Sequence, residues 1–197
     1  MAPTKPDMLV ATVDDVLAVL EATEDGDYLG EDISQLEHCL QAADLATRNG
    51  DDDETVIAAL LHDIGQILPV DSQRKLMSSG GNVGRVGHET IGARFLAQQG
   101  FGEKVCTLVG GHVDAKRYLS REHDYYERLS DASKHSLKFQ GGPYTDAESE
   151  KFKQTPYWKD VVSMRRYDDD AKVPNIGVPR PVAYRQMMMT HLQNVVS

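Results

Sequence analysis

Apolar residues recur three or four positions apart along most of this chain, and no stretch alternates strictly between apolar and polar. The pattern therefore predicts helices and no strands. A loose lead-in over residues 1–11 precedes the first helix. Thr12 caps that helix, Asp14 and Asp15 lie in its first turn, and Val16, Leu17, Val19 and Leu20 face inward. Gly26 ends it, and residues 27–32 form a loop. A second helix is expected over Ser34–Arg48, with Leu36, Leu40, Ala43 and Ala46 as its inner stripe. After the acidic turn Asn49–Asp53 comes the most apolar helix, through Ala58-Ala59-Leu60-Leu61. It ends at His62-Asp63, with Gly65 as its stop signal. Residues 68–87 are rich in Ser, Gly and Asn, include Arg74 and Lys75, and read as irregular. Helices resume over His88–Gln98 and Glu103–Val113, and Asp114–Tyr126 reads as short and partly helical. Another covers Asp131–Phe139 and stops at the turn Gln140-Gly141-Gly142-Pro143. The tail holds helices over Tyr157–Met164 and Val182–Leu192, on either side of a Pro-containing loop, Asp169–Arg180. The expected fold is all-α, a single helical domain over residues 1–197.

Composition narrows the function more than the fold. A chain of 197 residues suffices for one domain with a proper core. Its net charge of −10 speaks against a nucleic-acid partner, which needs a basic face, but leaves room for a local basic pocket. No run approaches the ~18 apolar residues of a membrane span, and the N-terminus lacks a signal-peptide core. A cytoplasmic protein without a membrane partner is expected. Cys39 and Cys106 have no metal-ligand or redox spacing and read as buried free thiols.

The candidate chemistry lies in the histidines. Of seven, His38, His62, His88 and His112 fall on four successive predicted helices, at gaps of 24, 26 and 24 residues. One helix with its loop occupies about that length, so the four side chains can return to one level of a bundle. A lone helical His is ordinarily a surface residue or a satisfied core residue; four in near-regular succession, one joined to Asp63, are not. Burying Asp63 beside His62 costs several kcal/mol unless something compensates, and a metal ion suits the pair. Imidazole and carboxylate without thiolate favour iron, manganese or zinc in a working site over structural zinc. Two ions bridged by Asp63 use the set economically, with His38 and His62 on one side and His88 and His112 on the other. The first ion then lacks an anion. Spacing alone does not choose among Asp168, Asp169 and Asp170. His123, His135 and His191 have no such setting, and Met187-Met188-Met189 reads as core filling.

His38, His62-Asp63 and Asp168 resemble the H…HD…D signature of the HD-domain superfamily, and the added His88 and His112 resemble its dinuclear branch. Gly111–Tyr118 is similar to the oxygenase subgroup, with Lys116 four residues after His112 and so on the same helical face. Asp27–Glu31, Gln35–His38, Leu129–Ser133 and Gln140–Pro143 resemble the 1-hydroxy-2-aminoethylphosphonate dioxygenases, mixed-valence di-iron enzymes related more distantly to myo-inositol oxygenase. The likeness runs from about Tyr28 to Leu192. It implies two iron ions, Fe(II)/Fe(III), held by His38, His62, Asp63, His88, His112 and Asp168. It also implies that Lys116, Ser133 and Arg165 grip the phosphonate, and that Tyr28 and Glu31 form a mobile pair near the vacant iron position and the substrate amine. Those residue types suit the task independently, since a dianion needs cations and a hydroxyl, and an ammonium group favours a carboxylate and an aromatic face. Gln66 stands at a substrate-facing position where the resembled aminoethylphosphonate enzymes carry a second His. A sibling activity acts on the N-trimethylated compound, and that is the expected substrate. The implied reaction is C–P cleavage of 1-hydroxy-2-(trimethylammonio)ethylphosphonate or its amino counterpart with O2, giving glycine betaine or glycine plus phosphate. Tyr28, Glu31 and Lys116 are the expected catalytic residues. The rivals are a metal-dependent HD phosphohydrolase acting on a nucleotide or other phosphoester, and a regulatory HD module that binds a small ligand without turnover.

Overall fold

A computed structural model describes residues 5–24, 26, 28, 31–69 and 84–195, and these contain helices and no strand. Helix α1 (Lys5–Glu21) begins well before Thr12. The lead-in expected over residues 1–11 is therefore helical from Lys5 onward. Leu9 adds one more apolar position to the stripe of Val13, Val16, Leu17 and Leu20, and packs on the core with them. Pro6 falls in the first turn, where a missing N–H leaves no helical bond unmade.

Helix α2 (Gln35–Asn49) has Ser34 as its cap. The Ser34 hydroxyl accepts from Glu37 N–H and the Glu37 carboxylate accepts from Ser34 N–H, at 3.1 and 2.8 Å. Helix α3 (Asp53–Leu61) is capped by Asp52 and buries every residue from Thr55 to Leu61. It is the axis of the fold, with α2, α6 (Glu103–Leu119), α10 (Trp158–Asp170) and α11 (Arg185–Val195) packed around it. Its Ile57, Leu60 and Leu61 meet Leu36, Leu40, Leu108, Met164 and Met188 in a single core. Each such side chain contributes roughly 1.5–3 kcal/mol by leaving water.

The chain bends at His62-Asp63 and continues as the short α4 (Ile64–Ile67). Gly65 does not end α3 as expected; it lies within α4, against the start of α5 (His88–Gln98). A Cβ there would come within 1.9 Å of the His88 carbonyl oxygen, so only glycine lets the two backbones approach this closely. Residues 70–83, with Arg74 and Lys75, lie outside the described residues.

Helix α6 runs six residues past its expected end at Val113. Ala115, Lys116 and Leu119 extend its buried face, and a charged residue in that stripe masks the periodicity. The helices α7 (His123–Arg128) and α8 (Asp131–Phe139) follow. The unforeseen α9 (Asp146–Phe152) carries a capping box between Thr145 and Glu148. Helix α10 extends to Asp170, six residues past its expected end at Met164, so Asp168 sits on a helix. A 3-10 turn, Pro181–Tyr184, leads into α11. Met188 and Met189 are buried in the core. Cys39 is a buried free thiol, whereas Cys106 is only half-buried. Among the described residues no helix is long and apolar enough to cross a membrane.

Candidate metal centre

Each ligand candidate is delivered by a different part of the bundle. His38 comes from the first turn of α2, His62 caps the C-terminus of α3, and Asp63 occupies the bend that follows. His88 opens α5, His112 lies on α6, and Asp168 lies in the last turn of α10. All six are buried, and they form two triads, His38/His62/Asp168 and Asp63/His88/His112, each with its ligand atoms within 4.8 Å of one another.

The hydrogen bonds determine which ring nitrogen is bare. The Nδ1 atoms of His38, His62, His88 and His112 face the carbonyls of Ala171, Ala59, Arg85 and Val109 at 2.8, 2.8, 3.0 and 2.8 Å. A carbonyl only accepts, so in each ring Nδ1 carries the proton and Nε2 offers a lone pair. Those Nε2 atoms are turned on each other, His38 to His62 at 3.0 Å and His88 to His112 at 2.9 Å. Two lone pairs at that separation repel unless a cation lies between or beside them. Burial, followed by the neighbouring His88, pushes the His112 imidazole down to about 3, and burial lowers His62 as well. At His88 burial is outweighed by the hydrogen bond to Asp63 and its charge, which raise the imidazole, so there a proton competes with a metal. A metal ion at each pair fits the donor set. The backbone carbonyls on Nδ1 are the outer contacts that orient metal-binding imidazoles.

Asp63 joins the two pairs. Its Oδ1 lies 3.3 Å from His88 Nε2 and 3.8 Å from His112 Nε2; its Oδ2 lies 3.8 Å from His62 Nε2 and 4.0 Å from His38 Nε2. One oxygen thus faces each pair. Burial alone would raise the Asp63 carboxyl, but the imidazoles of His62, His88 and His112 hold it well below the ordinary carboxylate range. Gln35, on the first turn of α2, donates to Asp63 Oδ2 at 3.2 Å and fixes the carboxylate's rotation. Asp168 places Oδ1 3.4 Å from His38 Nε2 and Oδ2 3.8 Å from His62 Nε2. Asp169 points elsewhere, bonding the Arg165 guanidinium and the Tyr125 hydroxyl.

Above the triads opens a polar cleft that takes in Tyr28, Glu31, Gln66, Lys116, Ser133 and Arg165, all the sequence-derived substrate candidates. Lys116 is buried and donates to Ser136 Oγ at 2.9 Å; burial and the neighbouring Arg165 push its ammonium down to about 7. Arg165 is equally buried but already engaged, with Nη1 on Asp168 Oδ2 at 2.5 Å and Nη2 on Asp169. Among the described residues its Nε has no partner. The Tyr28 ring lies flat on the His38 imidazole, with centroids 3.9 Å apart and planes 14° apart. Tyr28 is thus packed on the centre, within the stretch over residues 27–32 that the sequence predicts as a loop. Gln66 Oε1 accepts from Arg85 N–H at 2.7 Å, which ties α4 to the segment entering α5.

Sequence reasoning gave no role to four residues at this site: Gln35, Ser136, Gln140 and Lys172. Ser136 stands one helical turn after Ser133, and Gln140 closes α8 with a buried Oε1 that has no partner among the described residues. Lys172 follows α10 and enters the cleft between Ser133 and Glu31. Of the remaining histidines, His191 is buried on Phe101 and accepts from Gly102 N–H, a packing role. His123 is exposed and His135 rests against Phe139.

Residues 36–139 match the HD-domain family. The chain is 44% identical over 155 residues to a hydroxymethylphosphonate dioxygenase of Gimesia maris, a match spanning 77% of this chain and 74% of the relative. It is 38% identical over 162 residues to a 1-hydroxy-2-(trimethylamino)ethylphosphonate dioxygenase (glycine-betaine-forming) of Leisingera caerulea, spanning 82% and 80%. An uncharacterized protein of Acanthamoeba polyphaga mimivirus is 31% identical over 94% of this chain and 84% of its own length.

Proposed function

This chain belongs to the HD-domain family and carries two His/Asp clusters suited to a binuclear metal site; we propose that it is a di-iron oxygenase that cleaves the C–P bond of a 1-hydroxyalkylphosphonate. The observation that carries the reading is the pair of facing Nε2 clusters joined by Asp63, in one cleft with the buried Lys116. Similarity to two phosphonate dioxygenases supports the choice of chemistry over phosphoester hydrolysis. In this reading His38, His62 and Asp168 would hold one iron and His88 and His112 the other, and Asp63 would offer one carboxylate oxygen to each. Two irons in the Fe(II)/Fe(III) state supply the Lewis acidity and the electrons that O2 activation needs.

The protein's own groups bind and orient. Lys116 and Ser133 present a cation and a hydroxyl to the phosphonate. Arg165 supports the same anion, and its grip on Asp168 keeps that carboxylate turned to the imidazoles. Gln66 holds the wall formed by residues 84–85. Tyr28 and Glu31 cover the cleft beside the His38 pair and exclude water from it. The balance closes with one O2: the C1–H and C–P bonds break, the carbon leaves as a carboxylic acid and the phosphorus as phosphate. With 1-hydroxy-2-(trimethylammonio)ethylphosphonate, the substrate expected from sequence, the acid is glycine betaine; with the amino compound it is glycine. Hydroxymethylphosphonate, the compound in the Gimesia maris relative's name, is the small member of the same class.

The test is phosphate release from these phosphonates by anaerobically iron-loaded protein, before and after O2 is admitted. Release that needs O2 is expected. Oxygen-independent phosphate release from nucleotides, with inert phosphonates, would replace this reading by an HD phosphohydrolase. Tight ligand binding without any turnover would replace it by a regulatory module.

A further inference from the structure

Lys172 stands in the cleft between Ser133, assigned above to the phosphonate, and Glu31, which the family resemblance sets beside the substituent on C1 of the substrate. Its Nζ lies 3.3 Å from Ser133 Oγ, 3.5 Å from Ser130 Oγ and 3.7 Å from Glu31 Oε1. The side chain is only 12% exposed, and that of Glu31 20%. Glu31 Oε1 is buried and has no hydrogen-bond partner among the described residues, so the Lys172 ammonium is the cation that it faces.

The charges lining the cleft divide unevenly once Asp63, which faces both imidazole pairs, is set aside. Arg165 is matched by Asp168 and Asp169. Lys116 has a hydroxyl partner, Ser136, and is left for the phosphonate. Glu31 is the one other carboxylate among the lining residues, and Lys172 already stands against it. A cationic group entering beside Glu31 meets an ammonium as well as a carboxylate. At such range, in a site shielded from water, the attraction to one is offset by repulsion from the other. Tyr28 does little to restore the balance, because one face of its ring is covered by His38.

From this juxtaposition we infer that Lys172 is a specificity-determining residue, which neutralises Glu31 and so selects 1-hydroxyalkylphosphonates whose C1 substituent carries no positive charge. The inference rests on the phosphonate reading above and reverses the preference for a quaternary amine expected from sequence. A substrate with hydrogen at that position leaves the Glu31–Lys172 pair intact. A trimethylammonium group must either displace the lysine or accept its repulsion.

The experiment compares hydroxymethylphosphonate with 1-hydroxy-2-(trimethylammonio)ethylphosphonate on the iron-loaded wild type, Lys172→Gln and Lys172→Arg. Both kcat/KM in O2 and anaerobic calorimetric affinity are read. The wild type is expected to favour the uncharged substituent by about tenfold or more, and Lys172→Gln to shift the ratio toward the cationic substrate by about tenfold. Lys172→Arg, which keeps the charge, should hold the wild-type ratio. An unchanged ratio in Lys172→Gln, equal losses on both compounds, or a wild type that prefers the cation would overturn the inference. Equal losses would make Lys172 a general phosphonate-binding cation. If neither compound releases phosphate, the C–P cleavage reading falls, and the ratio of calorimetric affinities alone decides Lys172. Failure of the wild type to bind either compound would overturn both.

Discussion

At Asp63 one carboxylate oxygen faces each pair of imidazoles, so truncating it takes a ligand from both metal positions at once. Asp168 faces His38 and His62 only. Metal analysis after anaerobic iron loading should therefore find Asp63→Ala well below the content of Asp168→Ala, which keeps about one iron per chain. Iron near two per chain in Asp63→Ala would sink the bridge. Arg165 and Lys116 separate in the same assay, although the family resemblance gives both a grip on the phosphonate. Arg165→Ala leaves the buried Asp168 without its guanidinium, a loss of about 3–5 kcal/mol in comparable buried pairs, and should lower iron content as well as substrate affinity. Lys116→Met touches no ligand candidate and should lower affinity alone. Lys116 also carries a pH signature. Its ammonium is held down to about 7 in the empty cleft, and a bound dianion raises it again. Above pH 7 the complex then binds more protons than the free protein, so binding takes up protons and weakens as pH rises, once the phosphonate is fully ionised. Calorimetry at pH 8 in buffers of different ionisation enthalpy should show uptake approaching one proton, absent in Lys116→Met. No uptake in the wild type would contradict a charged Lys116–phosphonate contact.

Elements place these residues by close approach, and Gly65 is the tightest instance. Helix α4 sits so near the start of α5 that a methyl group at residue 65 would overlap the His88 carbonyl. Gly65→Ala must therefore move His88, costing about 1–3 kcal/mol of stability and depleting the Asp63/His88/His112 position selectively. A variant with wild-type melting and full iron would show that α4 and α5 can separate freely. The same example marks what could be read from sequence. Strong caps make helices legible: Ser34 with Glu37 opens α2, Asp52 opens α3 and Ser130 opens α8, while α5, which has no side-chain cap, has the bounds that periodicity predicts. Helix α9 was legible in principle, because Thr145 and Glu148 form a capping box. The far end of α6 was hidden because its inward face carries Lys116, and polar residues directed at a site look like an exposed face. Near-regular spacing brought four histidines into view. It could not separate Asp168 from Asp169 and Asp170, since neighbours on a helix point about 100° apart and only packing decides which one faces inward. Gln35, Lys172 and the close contact at Gly65 arise between segments distant in sequence, where periodicity carries no information.

For the whole molecule, the candidate ligand set would act as a fastener between helices that otherwise meet through apolar contacts and a few surface pairs such as Lys104 with Asp52 and Asp160. Helices α2, α3, α5, α6 and α10 each deliver at least one donor, with Asp63 at the bend after α3. Without a cation, two pairs of bare Nε2 atoms and two buried carboxylates face one another across those helices. The apolar core, built on Ile57, Leu60, Leu61, Leu108 and Met188, does not depend on them, so the metal-free protein should stay folded with its helical content intact. Its margin should nonetheless be smaller. A ligand that binds only the native state adds about 2.7 kcal/mol when present at 100 times its Kd, and two sites add about twice that. At about 2–4 °C per kcal/mol for a domain of this size, iron loading should raise Tm by about 10–20 °C over the chelated protein. Asp63→Ala should lose most of that increment, whereas Lys172→Gln, which faces the cleft and no ligand, should keep it. The comparison needs no substrate and no turnover, so it tests the metal centre separately from the reaction. Equal melting of the loaded and chelated wild type would mean that the facing imidazoles do not hold metal in the native state.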